Sequence, residues 1–412
     1  MASIKQTLRR SLLATGIEVS RDTRLLAAQI GVVTEPRHHV LIAPPGGGNI
    51  GDQAMVEAFL ENTDGDVVIV TSGEGSIDIP DIHAARATTR AMPGVLYRSR
   101  RAHRAALVEL AGVLRHARSI SVVGADIMDG AYVPRASVSR AMVASAAALC
   151  GIDSRVLGFS WPDAPFGAAR SALARAARNG AAILPRDPVS FERLARDGIS
   201  PDRQVTDLVF SATTVDSALV EELALSGPFA IVNISGHIGR RVDLVPDYVR
   251  VVRFLRDRGL AVVILPHVVT PSADDRIPSA RLRAEFGSDD VHLVDRVPTP
   301  AEVRGLTARA VVTVTGRMHL AIMTLLHGTP AVTLATQGKV EGLMAMLGTP
   351  ELCVSPVAGV STLIVDVLDS VLPDASPTRK AIAAALPVVV ERSAGNFVGL
   401  RDRVVSPAKV GG

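Results

Sequence analysis

From His39 onward the chain alternates short β-branched runs with amphipathic stretches, and this rhythm constrains the fold more than any other feature. Val40–Ala43, Val67–Val70, Ile120–Val123, Val156–Phe159 and Ala182–Leu184 read as strands. Between them, Asp52–Glu61, Ala105–His116, Ser137–Leu149 and Ala168–Asn179 carry apolar residues at helical spacing. Strand and helix in turn predict an α/β protein, a parallel sheet with helices on both faces. The rhythm weakens across "VFSATTVDSALVEELALSGPF" and restarts at Phe229–Ile234. Strands at Leu260–Leu265, His292–Val294, Ala310–Val314 and Ala331–Leu334 follow, with helices at Val249–Arg258, Pro300–Thr307, His319–Leu326 and Val340–Leu347 between them.

The prediction is two doubly wound, Rossmann-like domains facing a cleft, with the boundary near residues 220–228. Residues 1–36 form an extension, 37–224 the first domain and 225–372 the second. Residues 373–412 hold a helix, Pro377–Arg392, that returns to the first domain, followed by a tail. This architecture resembles that of glycosyltransferase-B-type proteins.

Composition narrows the function. With 412 residues there is chain enough for two cores. A net charge of +3 and only 3% aromatics give no basic or stacking surface for nucleic acid. Cys150 and Cys353 lack metal or disulfide spacing and read as core residues of a protein in a reducing compartment. No apolar run approaches the roughly 20 residues of a membrane helix. "MASIKQTLRRSLLATGIEV" sets Ile4, Leu8 and Leu12 at helical spacing, with Lys5, Arg9 and Arg10 elsewhere. It reads either as a helix packed on the first domain or as one lying on an acidic membrane surface. Its apolar stretch is too short and broken for a signal peptide. The expected location is the cytoplasm, with the inner membrane face as a candidate contact for that helix.

Open parallel sheets bind ligands beyond the carboxyl ends of their strands, which limits where chemistry can sit. In "ARAVVTVTGRMHLAIMTLLHGTPAVTL" a strand ends near Thr315, Gly316 turns, and Arg317 and His319 open a helix. There they would join free backbone N–H groups in an anion site, or Arg317 would pair with a structural carboxylate. One unit later Lys339 stands at a helix start, where it opposes the helix dipole unless an anion is present. Arg186 and Asp187 follow a first-domain strand in the same manner, and His267 ends the strand in "LAVVILPHVVTPSADD". No H-E-x-x-H, C-x-x-C or G-x-S-x-G motif is present.

The loop "VLIAPPGGGNIGDQAMVEAFL" admits two readings. Gly46, Gly48 and Gly51 fit G-x-G-x-x-G between strand and helix, with Glu74 at the distance of a ribose contact. Against a dinucleotide stands Asp52, a carboxylate where the pyrophosphate would sit. Asn49-Ile50-Gly51-Asp52 suits helix capping or contact with sugar hydroxyls better, and a nicotinamide site is not expected.

Four stretches, in order between His38 and Leu372, resemble the polysaccharide pyruvyl transferase family. "GGGNIGDQAM" is similar to its N-x-G-D opening at Asn49, Gly51 and Asp52. "PRDPVSFERL" is similar to its R-D-x-x-S element at Arg186, Asp187 and Ser190. "VTDLVF" resembles an acidic strand element at Asp207. "TGRMHLAIMTLLHGTPAVTLATQGKVEGL" resembles its R-x-H block at Arg317 and His319, with a downstream lysine at Lys339. The resemblance implies transfer of pyruvate from phosphoenolpyruvate to a sugar, usually as a cyclic ketal, with no further cofactor. It places Arg317 and His319 at the donor site and makes Arg186 a second anion contact.

Phosphoenolpyruvate carries a carboxylate and a phosphate, and Arg317, Arg186, Lys339 and His267 are the candidate contacts. His319 would protonate the methylene carbon. Asp52 or Asp187 would take the proton of an acceptor hydroxyl. Asn49, Asp52 and Asp126 are the acceptor-side candidates. "VVGADIMDGAY" departs from the glycine run usual there, and Asp126 and Asp129 change the character of that loop. The implied partners are phosphoenolpyruvate and a glycan or lipid-linked sugar. Two other readings stay open: a nucleotide-sugar glycosyltransferase, for which Glu341 is the candidate ribose contact, and a non-catalytic binding homologue. The set Arg317, His319 and Lys339 speaks for an active protein.

Overall fold

The structure, a computed structural model, describes residues 17–97, 100–271, 273–287, 290–335 and 338–401. The helical pattern at Ile4, Leu8 and Leu12 lies outside the described residues.

The first sheet is parallel and has six strands: β1 (His38–Ile42), β2 (Asp66–Thr71), β3 (Ala87–Ala91), β4 (Ala117–Ala125), β5 (Asp153–Phe159) and β6 (Ala182–Pro185). Their order is β3-β2-β1-β4-β5-β6. The second domain contributes β7 (Phe229–Asn233), β8 (Ala261–Ile264), a small antiparallel pair β9 (Val269–Thr270) and β10 (Ala273–Asp274), β11 (Val291–Leu293), β12 (Val312–Thr315), β13 (Ala331–Leu334) and β14 (Cys353–Val354). Its main sheet runs β11-β8-β7-β12-β13-β14, the same winding as the first. Central strands covered on both faces must be apolar throughout. Accordingly Val40, Leu41 and Ile42 of β1 and Phe229 to Val232 of β7 are all buried.

The α/β architecture of two Rossmann-like domains is as the sequence predicts. Two strands were not legible. In β3, "ATTRA", only Ala87 is buried, so the edge strand carries no apolar run. In β14 there are two residues. The "VTDLVF" stretch is not a strand: Leu208–Ser211 is a 3-10 turn capped by Asp207, whose carboxylate accepts the Val209 N–H. Cys150 and Cys353 are half-buried at the margins of the cores rather than inside them.

The helix Ile17–Ile30 packs its Leu26 and Ile30 into the first domain. The helix Pro377–Ala394 lies against the first domain's 206–211 segment: Thr206 Oγ1 donates to the Val389 carbonyl (2.6 Å) and Ser393 Oγ to the Asp207 carbonyl (2.8 Å). Among the described residues no helix is long and apolar enough to cross a membrane.

Candidate active site

In a doubly wound sheet the crevice opens where neighbouring strands send their connections to opposite faces. That point lies between β1 and β4 in one domain and between β7 and β12 in the other. The loops beyond these four strands wall a cavity of about 330 Å³. Asn49, Asp52 and Asp126 line it from the first domain; His237, His267, Arg317, His319 and Lys339 line it from the second.

The glycine loop joins the domains. Val269 N–H donates to the Gly48 carbonyl (2.7 Å) and Ile50 N–H to the His267 carbonyl (3.2 Å). Gly48 has φ 89°, and a Cβ there would lie 2.4 Å from the Val269 oxygen, so only glycine allows the approach. Asn49 caps the helix Ile50–Glu61, accepting the Gly51 N–H (3.0 Å). Asp52 accepts the Gly46 N–H (2.9 Å), a group a pyrophosphate would need, while Glu74 is exposed and outside the cavity lining. Burial pushes the Asp52 carboxyl up to about 6, only partly offset by the Gly46 N–H and His319.

His319 opens the helix Met318–Leu325, and its Nε2 lies 3.5 Å from Asp207 Oδ2. Asp207 is buried, which alone would raise its pKa. His319 and Arg186 overcome that and hold it well below the usual carboxylate range. Arg186, expected among the anion contacts, does not line the cavity. Its side chain is 4% exposed; Nη1 donates to Asp207 Oδ2 (2.6 Å) and Nε to Ser160 Oγ (2.9 Å). Asp187 likewise does not line the cavity: it caps its helix through the Ser190 N–H (2.7 Å), accepts from the Ser160 and Ser190 hydroxyls, and packs against Gly342 of the second domain.

Arg317 forms a two-pronged pair with Asp275 through Nε and Nη2. Asp275 is fully buried and fixed by the Gly236 N–H (2.8 Å), the Val268 N–H (3.1 Å) and Asn233 Nδ2 (3.1 Å). The guanidinium is thereby oriented rigidly at the cavity wall, with its remaining N–H groups available to a ligand. Lys339 Nζ reaches across the cleft to Asp126 Oδ2 (2.6 Å), which also accepts from Tyr132 OH (3.1 Å). Burial would raise the Asp126 pKa, but Lys339 and Arg186 bring it well below the usual range.

His267 is 1% exposed, and neither ring nitrogen has a hydrogen-bond partner among the described residues. Burial, reinforced by His319 and Arg317, holds its pKa well below the ordinary value. It therefore lines the cavity as a neutral imidazole, which cannot neutralise an anion. Sequence reasoning missed Asp275, His237 and Arg140, all of them at this site. Asp275 is the N-cap residue of the helix Arg276–Ala284 and His237 lies in the four-residue helix Gly236–Gly239, both in stretches without a motif. Arg140 left a signal, a lone arginine in the alanine- and serine-rich run "ASVSRAMVASAAAL".

A model of the family described as polysaccharide pyruvyl transferase matches residues 49–338, well over half of the chain. This chain belongs to that family. The matched span includes Asn49, Asp52, Arg186, Asp207, Arg317 and His319. Among curated proteins no sequence matches this polysaccharide pyruvyl transferase family member.

Solved structures are similar in fold alone. A putative UDP-N-acetylglucosamine 2-epimerase from Listeria monocytogenes has TM-score 0.56 at 13% identity, covering 89% of this chain and 95% of that one. The UDP-GlcNAc 2-epimerase of Methanocaldococcus jannaschii gives 0.55 at 10%, over 85% and 98%. A UDP-glucose: anthocyanidin 3-O-glucosyltransferase in complex with UDP gives 0.54 at 12%, over 90% and 98%. These are two-domain proteins of glycosyltransferase-B type, the fold this family member shares.

Proposed function

We propose that the protein transfers pyruvate from phosphoenolpyruvate to a sugar of a cell-surface polysaccharide or glycolipid precursor, closing a ketal across two hydroxyls. The observation that carries the reading is one cavity in which Arg317 and Lys339 stand beside His319, itself backed by the buried Asp207 carboxylate. Arg317, aligned by Asp275, and Lys339 receive the carboxylate and phosphate of the donor. His319 gives its proton to the methylene carbon, leaving C2 electrophilic, and Asp207 steadies the imidazole through the transfer. A sugar hydroxyl adds to C2, its proton passing to a neighbouring carboxylate, for which Asp52 is the candidate. Phosphate departs, and the second hydroxyl closes the ring. In balance, one hydroxyl proton ends on the methyl group and the other on phosphate. Arg186 serves by holding Asp207. Nucleotide-sugar transfer draws on the fold alone, and Glu341 is exposed and outside the cavity lining.

The test is phosphoenolpyruvate binding by calorimetry at low and moderate salt. Wild type is expected to bind, and Arg317→Ala to bind at least about tenfold more weakly, the scale of one lost charge-assisted pair. A folded wild type that ignores phosphoenolpyruvate with and without candidate sugars overturns the reading.

A further inference from the structure

Four arginines of the described chain are buried: Arg140, Arg155, Arg186 and Arg304. Three have a carboxylate. Arg155 pairs with Asp153, Arg186 with Asp207 (2.6 Å) and Arg304 with Glu57 (3.1 Å). Arg140 has none within ion-pair distance among the described residues; the carboxylate it acts on is Asp52, across the same cavity and without a bond between them. Its Nε has no partner, and Nη2 makes only neutral contacts, to the Ala43 carbonyl (3.4 Å) and Tyr97 OH (3.2 Å). Yet Arg140 is 1% exposed and lines the cavity. A buried guanidinium is costly without a counter-charge, so a fold keeps one where an anion arrives from outside.

The surroundings indicate which anion. Arg140 projects from the first-domain helix Pro134–Leu149, whereas Arg317 and Lys339 line the cavity from the second domain. Beside it are Tyr97, Tyr132 and Val133, all exposed to a third or more. The chain has only three tyrosines, and two of them line this cavity. Tyrosine faces pack against the C–H faces of sugar rings, and Asp52 and Asp126, which line the same cavity, suit hydroxyls. Resting on the pyruvyl-transfer reading above, we infer that Arg140 forms the acceptor's anion subsite, so that the sugar receiving pyruvate carries its own negative group, a sugar phosphate or a uronate. A second fork-shaped cation would grip that group in two-pronged fashion while the ring lies across Tyr97 and Tyr132.

The test is calorimetry without phosphoenolpyruvate, using the 1-phosphates and uronates of glucose, galactose and mannose against the corresponding methyl glycosides. Wild type is expected to bind at least one anionic sugar about tenfold more tightly than its neutral counterpart, the scale of a charge-assisted contact. Arg140→Met, which swaps a buried charge for an apolar chain of similar length, should erase that preference while phosphoenolpyruvate affinity stays within about twofold. Arg140→Lys keeps the charge and loses the fork; it should retain a reduced preference, and it stands in if the methionine variant does not fold. The inference is overturned if wild type shows no preference, if Arg140→Met keeps it, or if that variant loses phosphoenolpyruvate instead. Because the sugar titrations contain no phosphoenolpyruvate, a wild type that prefers anionic sugars but ignores that donor sinks the pyruvyl reading alone.

Discussion

A Cβ on Gly51 would lie 2.3 Å from Nδ1 of His319. The two residues come from opposite domains and from two separate motifs, so the glycine of N-x-G-D is the seat on which the histidine of R-x-H rests. Gly51→Ala should therefore push the imidazole off its place beside Asp207 while leaving the helix Ile50–Glu61 intact. Turnover, read as donor-dependent phosphate release, is expected to fall by about 10²- to 10⁴-fold, as for loss of a general acid. An alanine variant with wild-type turnover would show that this seat does not matter.

Asp52 predicts a pH dependence of stability. Its carboxyl is raised from 3.8 to about 6 in the folded protein, chiefly by burial. A raised folded pKa means the folded state holds the proton more tightly. The group's contribution is full below the unfolded value and is lost as pH rises through about 6. Asp52→Asn removes that loss, which is at most about 3 kcal/mol. Urea unfolding of both proteins between pH 4 and 8 should show the variant gaining on wild type as pH rises. A difference independent of pH contradicts the assignment.

The fold was legible where physics is local. Apolar runs such as Val40–Ile42 and Ile231–Val232 announce strands buried on both faces, and the helices expected from Asp52 and His319 start at Ile50 and Met318, beside the turns that precede them. The site was legible as motifs but not as partnerships. The sequence left open whether Arg317 meets a ligand or a structural carboxylate, because Asp275, its partner, lies 42 positions away in a turn with no motif. Arg186 looked like a ligand contact for the same reason, since its attachment to Asp207 depends on a 3-10 turn that resembled a strand. Burial, which makes His267 neutral and Arg140 conspicuous, is a property of the assembled domains that no stretch of sequence carries.

The Lys339–Asp126 bridge crosses the cleft, linking the helix Lys339–Leu347 of one domain to the loop beyond β4 of the other. An incoming donor anion must compete with Asp126 for the ammonium. Asp126→Asn relieves that competition, so phosphoenolpyruvate affinity is expected to rise about two- to fivefold, the worth of a partly exposed pair. Lys339→Ala should weaken binding instead. Calorimetry on both variants checks the signs, and an Asp126→Asn protein that binds the donor more weakly assigns the carboxylate to donor orientation rather than to competition.

Arg304 pins the domains together away from the cavity. It is fully buried on the second-domain helix Pro300–Arg309 and faces Glu57 (3.1 Å) and Glu61 (3.6 Å) of the first-domain helix Ile50–Glu61. Nε also donates to the Thr214 carbonyl (2.6 Å). Burial raises the Glu57 pKa despite the arginine, so its ionised form depends on that partner. Arg304→Ala leaves Glu57 buried with no counter-charge, and a loss of about 3–5 kcal/mol is expected from urea midpoints at pH 8. The sign of the pH effect follows from the same carboxyl. Without Arg304, Glu57 folds more readily protonated, so the variant's deficit should shrink as the pH is lowered toward 5. The double change Arg304→Met with Glu57→Leu removes both charges and should recover most of the stability. If the double variant is as unstable as Arg304→Ala, the arginine acts through its bond to Thr214 and its packing, not through the ion pair.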